Sequence, residues 1–306
     1  MKLAGLVVFR NAADLIGLIA LHHLREVVDH VYALDNGSSD GGPAKLKWLA
    51  RTTGRLSLYH DDAIRPKREY LNTLARQAHR DGFDAIVPFD SDELWNATRE
   101  RLTDAFNTRF NVVRCPVVNF IQRRSVHQAT TWSWRHAVRR CEVVDAPMAQ
   151  VIGGHISFME WLFPSKVAFR SHPGAEVHRG QHGVDIPDRA ENLEHAIEIF
   201  HVPMRARSEL IKRASDYEPR RATLRTGPGD AWQGQHWAER VRDGHADDEW
   251  QALSYSESLS LDIGSRQVPT FHDPRMADLL RRAAKTWHWQ LAGPRMMIDR
   301  SLLALS

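Results

Sequence analysis

Apolar runs of strand length alternate with stretches of helical periodicity through the first third of the chain. Leu3 to Phe9 is an unbroken apolar run, the pattern of a strand buried on both faces. Asp14 to Val28 then sets Leu15, Leu18, Ile19, Leu21 and Leu24 along one helical stripe, and His30 to Leu34 returns to a strand. The loop Asp35-Asn36-Gly37-Ser38-Ser39-Asp40-Gly41-Gly42 is dense in residues that accept positive φ or bond their own backbone, and Pro43 suits the first turn of a helix after it. Leu56 to Tyr59 is a short strand. Glu69 to His79 places Leu71, Leu74, Ala75 and Ala78 on one helical face, and Ala85 to Phe89 is the next strand. This βαβαβαβ order predicts an α/β fold with a mostly parallel central sheet flanked by helices, residues 1–95 forming a nucleotide-binding-type half.

Beyond residue 95 the pattern loosens. Asn111 to Phe120, Lys166 to Arg170 and Glu198 to Val202 are strand candidates, Trp132 to Trp134 and Val151 to Phe158 are mixed, and Arg207 to Arg213 reopens a helix. We read residues 1–215 as one domain, with 96–215 the acceptor-side half, and 216–306 as a mainly helical extension ending in an amphipathic helix from Pro274 to Trp287.

With 306 residues and 42% hydrophobic content the chain can bury a large core. Its 41 Lys and Arg against 38 Asp and Glu leave a net charge of +3, too small and too dispersed to point to a nucleic-acid partner. Cys115 and Cys141 lie outside any zinc-ligand spacing and cannot build a disulfide framework, so a cytoplasmic setting is expected. No window approaches the roughly 18 uncharged apolar residues of a transmembrane helix, and contact with the inner face of a membrane would be peripheral.

The strand ending at Phe89 runs into Asp90-Ser91-Asp92-Glu93. Residues two apart at a strand end point to the same side, so Asp90 and Asp92 can converge on one hard divalent cation, and oxygen ligands suit Mg2+ or Mn2+. Ligands of open α/β sheets gather at the carboxyl ends of the strands. There Arg10 and Asn11 follow the first strand, and Asp35 is the acidic residue at the end of the second. Lys67 and Arg68 lie in the same half. His178 and His201 are candidates for a third metal ligand, and Glu93, Glu160 and Glu176 for a base. Ten tryptophans, among them Trp95, Trp132, Trp134 and Trp161, offer surfaces on which sugar rings stack, or simply fill a core. Neither a phosphate-binding G-x-x-x-x-G-K loop nor a dinucleotide fingerprint nor a nucleophile elbow is present.

Taken in order, Val8-Phe9-Arg10-Asn11 with Asp14, Tyr32 to Gly41, and Phe89-Asp90-Ser91-Asp92-Glu93-Leu94 resemble the family-2-like glycosyltransferases of the GT-A fold. The closest likeness is to a branch similar to family 92, with Pro164-Ser165-Lys166-Val167 and His201-Val202-Pro203-Met204-Arg205 similar to its later segments. The resemblance covers residues 3 to 213. It implies a nucleotide-sugar donor, a glycan or glycolipid acceptor, and Mn2+ or Mg2+ held by Asp90 and Asp92, Asp92 being the direct ligand. Arg10, Asn11, Asp35, Asn36 and Asp90 would line the nucleotide pocket, His201 would join the metal, and Glu160, Glu176 and His178 are the candidates for the base of an inverting transfer. Ala12-Ala13 and Leu94 depart from the usual pattern. Two other readings stay open. A sugar-1-phosphate nucleotidyltransferase would need glycines in the loop after the first strand, which Arg10-Asn11-Ala12-Ala13 lacks, and a non-catalytic carbohydrate-binding protein would tolerate a broken acidic triplet, which here is intact.

Overall fold

The computed structural model describes residues 1–106, 109–224 and 232–291. Four strands, β1 (Leu3–Phe9), β2 (His30–Asp35), β3 (Leu56–His60) and β4 (Ala85–Pro88), pair in parallel in the order β3-β2-β1-β4. They are joined by α1 (Ile16–His22, continued as a π-helical turn through Val27), α2 (Gly42–Thr53) and α3 (Lys67–Arg80). This is the expected βαβαβαβ half. Successive side chains of β1 go to opposite faces, as a strand requires: Leu3, Val7 and Phe9 join the core with α1, whereas Ala4, Leu6 and Val8 join the core under Tyr70, Leu71 and Leu74 of α3.

The sheet continues past β4 with the strand Lys166–Arg170, antiparallel both to β4 and to the strand Val112–Cys115, and ends on Glu191–Leu193. Seven strands result, of which the parallel four carry the site. The single strand expected over Asn111 to Phe120 is two, Val112–Cys115 and Val117–Asn119, parted by Pro116 and belonging to different sheets. Proline has no N–H to give to a continuing ladder. Val117–Asn119 instead flanks Glu198–His201, which pairs on its other side with β5 (Glu93–Asn96), the strand leaving the acidic turn.

The boundary expected at residue 215 falls inside one helix, Arg207–Leu224. Its Leu210, Ala214 and Tyr217 share a core with Trp237, Trp250 and Leu261, so the C-terminal part closes over the acceptor-side half. That part is not all helical. After Trp232–Arg242 and Ala246–Leu253 comes an antiparallel hairpin, Ser260–Ile263 with Arg266–Pro269. The last helix, Arg275–Leu291, buries Met276, Ala277 and Leu280 in the α1 core. Among the described residues no helix is long and apolar enough to cross a membrane.

One packing detail aims the acidic turn. Phe89 stacks on the buried ring of His23, centroids 3.8 Å apart, and a Cβ on Gly5 would come within 3.0 Å of the Phe89 ring. Gly5 on the neighbouring strand therefore leaves room for Phe89, the residue immediately before Asp90.

Candidate active site

The two aspartates at the end of β4 have different partners. Asp90 is bonded by Lys67 and, at 2.8 Å, by Lys166 Nζ, while Gln181 Nε2 donates to its Oδ1 at 2.7 Å. Burial alone would raise its pKa, but Lys166 and Lys67 outweigh burial and hold it well below the usual carboxylate range. Lys166, with only 5% of its side chain exposed, also pairs with Glu93, whose Oε2 accepts the Asp90 N–H at 2.9 Å. Lys166 thus ties both ends of the turn to the neighbouring strand. Burial, offset in part by Lys166, pushes Glu93 up to about 7.

Asp92 meets the other side of the molecule. Arg213 Nη2 lies 3.2 Å from its Oδ2, Arg205 Nη1 3.6 Å from the same oxygen, and His201 Nε2 4.0 Å from Oδ1. Against the upward push of burial, the guanidinium groups of Arg213 and Arg205 help to hold the Asp92 carboxyl below its ordinary value. Arg205 is fixed in turn by Asp14, 2.5 Å from its Nε, and by Glu209, 2.9 Å from its Nη1. Burial raises the Asp14 carboxyl despite that contact.

His201 is placed to be a metal ligand. Its Nδ1 meets Asn119 Oδ1 at 2.9 Å, and because a carbonyl oxygen only accepts, Nδ1 carries the proton and Nε2 keeps its lone pair toward Asp92. Burial lowers its pKa to about 4, so the ring is neutral at physiological pH, the form that binds a cation. Among the described residues no group of three or more His, Cys, Asp or Glu side chains is arranged to hold a metal ion. Asp92 and His201 therefore fit an ion that completes its shell with water and substrate phosphate, as Mg2+ commonly does. Because the folded ring gains its proton only near pH 4, its NMR resonances are expected not to move between pH 8 and pH 5. A transition centred near the ordinary value of about 6.5 would contradict the burial argument.

The loops after β1 and β2 are laced together. Asn11, at φ +50°, donates its N–H to Ser38 Oγ at 2.9 Å and accepts the Ser39 N–H on Oδ1 at 2.8 Å. Asp40 accepts the N–H groups of Ala13 at 2.8 Å and Gly42 at 2.9 Å. Beneath them Asp35 accepts the Ser38 N–H at 3.0 Å and meets His60 Nδ1 at 2.9 Å, while Asn36 donates to the carbonyls of Asp61 (2.9 Å) and Ala63 (2.8 Å). Both are buried, and their contacts shape the loops.

These loops and the acidic turn form one side of a cleft of about 700 Å³ at the carboxyl ends of the parallel strands, contributing Arg10, Asn11, Asp14, Asp40 and Ser91. The opposite wall is one face of the helix Arg207–Leu224: Ser208, Glu209, Lys212, Arg213, Asp216 and Tyr217 recur at helical spacing, with Gln233, Gly234 and Trp237 behind them.

Of the nucleotide-pocket candidates, Arg10 and Asn11 line this cleft, Asp35 and Asn36 lie under its loops, and Asp90 sits beside it on Lys67 and Lys166. None of the four base candidates lines it: Glu93 is buried against Lys166, and the other three lie elsewhere. Glu160 is buried in a two-pronged ion pair with Arg266, at 2.8 and 2.7 Å, which a sequence cannot show because the arginine lies 106 residues away. Glu176 and His178 line a separate groove beside α3, where His178 pairs with Asp185 at 2.9 Å. Nor do the four singled-out tryptophans line the cleft: Trp95 is fully buried and Trp161 is bonded to the Ala146 carbonyl. The tryptophan at the cleft is Trp237, and Glu209, Lys212, Arg213 and Asp216 were also missed, although their spacing continues the helix begun at Arg207.

No family model matches the sequence, and no curated protein matches it. Among solved structures, a mannosyltransferase, PcManGT from Pyrobaculum calidifontis, in complex with GDP-Man and Mn2+, is similar over 99% of this chain and 78% of its own, with 18% identity and a TM-score of 0.42. Residues 1–349 of S. aureus TarS match over 98% of this chain and 95% of that one, at 12% identity and a TM-score of 0.38. A glucosyl-3-phosphoglycerate synthase from Mycobacterium tuberculosis, in complex with Mn2+, UDP and glucosyl-3-phosphoglycerate, matches over 39% of this chain and 44% of its own, at 18% identity and a TM-score of 0.27. The likeness is coarse at these values, and the chemistry below rests on this chain's own residues.

Proposed function

We propose that this protein transfers a sugar from a nucleoside diphosphate donor to a hydroxyl of a glycan or other acceptor, with Mn2+ or Mg2+ held by Asp92 and His201. The observation that carries this reading is the pairing of an ionised Asp92 with a neutral His201, 4.0 Å apart, beside a cleft at the carboxyl edge of a parallel sheet. A divalent ion there supplies charge neutralisation for the departing diphosphate. The chain adds its own cations. Arg10 and Lys212 line opposite walls of the cleft, and neither has an ion-pair partner among the described residues, so both are available to phosphate oxygens. Arg213 and Arg205 hold Asp92 in place, and Asn119 fixes the imidazole tautomer. The order of the motifs supports the family-2-like assignment and the branch similar to family 92, and an inverting outcome is the stereochemistry we favour.

A ligand that binds only the folded state raises its melting temperature. With Mn2+ present, at least one of UDP, GDP, ADP and CDP is expected to raise the Tm of the wild type by several degrees, and an unchanged melting curve across all four would overturn the reading.

A further inference from the structure

The cleft has four carboxylates on its walls, and three are already occupied. Asp14 is bonded to Arg205 Nε at 2.5 Å. Asp40 accepts the backbone N–H groups of Ala13 and Gly42. Glu209 receives Arg213 Nη2 at 2.7 Å, Arg205 Nη1 at 2.9 Å and the Arg205 N–H at 3.0 Å. The fourth, Asp216, has no side-chain hydrogen bond or ion pair among the described residues. We infer that Asp216 is the general base that takes the proton from the attacking hydroxyl of the acceptor. This assignment rests on the transferase reading above and deepens it.

Placement supports the role. Arg213, whose guanidinium touches Asp92, lies three residues before Asp216 on the same helix, so Asp216 stands about 4.5 Å further along the axis. It is therefore one turn beyond the residues that grip the diphosphate end, on the wall away from the nucleotide loops. Its neighbours suit a sugar acceptor. Gln233 supplies an amide, and the buried rings of Tyr217 and Trp237 back the wall behind it. Gly234 makes room for that wall, since a Cβ there would come within 2.7 Å of Tyr217 Cδ2. The charged groups that share the cleft with Asp216 are Glu209, Lys212, Arg213 and Arg221 on its own helix, Arg205 just before that helix, and Arg10, Asp14 and Asp40 across from it. A carboxylate with no standing partner keeps its lone pairs for an incoming hydroxyl, as a base must.

The step balances. The acceptor oxygen forms a bond to the anomeric carbon while its proton passes to Asp216. The bond from that carbon to the diphosphate oxygen breaks, and its electron pair leaves with the nucleoside diphosphate. The product is a new glycosidic bond, a nucleoside diphosphate and a protonated Asp216, which returns its proton to water.

Asp216→Asn and Asp216→Glu test the assignment, with nucleoside diphosphate release measured on whichever donor matches the stabilising nucleotide. Asp216→Asn is expected to lower kcat by about 100-fold or more, the usual share of a general base, to leave donor KM within about 3-fold, and to erase the acidic limb of the kcat profile. Asp216→Glu is expected to recover part of the rate. The stabilisation by Mn2+ and nucleoside diphosphate should match that of the wild type in both variants, which separates a lost base from a lost donor site. Asp216→Asn with kcat within about 3-fold of wild type, or with the acidic limb intact, would overturn the assignment and leave the donor site standing. If no nucleotide stabilises the wild type, the transferase reading fails first and takes the base with it.

Discussion

Asp92→Asn is expected to abolish the stabilisation by Mn2+ and nucleoside diphosphate while leaving the fold intact. The substitution keeps the shape of a side chain that is 8% exposed and removes only the charge shared by the metal position, Arg213 and Arg205. In the wild type, ligand at about 100 times its Kd adds about 2.7 kcal/mol to the unfolding free energy. That increment should vanish. Donor turnover should fall by about three orders of magnitude, since loss of several kcal/mol of charge stabilisation costs about a decade per 1.4 kcal/mol. Differential scanning fluorimetry and nucleotide-release assays on the same preparations check both, and retention of the stabilisation by Asp92→Asn would remove Asp92 from the site.

Lys166→Met is expected to produce the largest loss of stability. Lys166 is the cation between Asp90 and Glu93, two carboxylates of the same turn, and removing one partner of such a buried cluster typically costs about 3–5 kcal/mol. For a chain of this length that is on the order of 5–10 °C in Tm. The loss has a pH dependence. Glu93 is raised to about 7, so between its unfolded value and pH 7 the folded protein holds a proton that the unfolded chain lacks, and this favours folding at the acidic end. Without Lys166 the raise grows. The variant should therefore be nearer to wild type at pH 6, where Glu93 is neutral, than at pH 8, where ionising Glu93 finds no cation beside it and Asp90 keeps only Lys67. A Tm within about 1 °C of wild type at pH 8 would contradict this role, and adding Glu93→Gln should restore part of the loss.

Much of the scaffold was legible because its elements carry clean periods. The apolar run Leu3–Phe9, the stripe over α3 and the strand Lys166–Arg170 declare themselves by period, apolar run or length alone. The acidic turn was legible by its place at the end of β4. What the sequence could not reveal is how differently its two aspartates are bound. Asp90 is held by Lys166 and Gln181, 76 and 91 residues away, and Asp92 by Arg213, 121 residues away. The helix begun at Arg207 was legible only to Arg213, since beyond it the cleft-facing row is polar and an apolar stripe no longer marks the inner face. The hairpin inside the mainly helical extension was missed for a related reason: Ser260–Ile263 with Arg266–Pro269 is short, and half its positions are exposed or partly so.

The most direct test of the central claim is anomalous diffraction at the manganese edge from crystals grown with Mn2+ and the stabilising nucleoside diphosphate. The account predicts one peak in contact with both Asp92 and His201, with the diphosphate on its open side toward Arg10 and Lys212. A nucleotide bound in the cleft without a metal peak, or a peak held by Asp90 with Lys67 and Lys166 displaced, would contradict it.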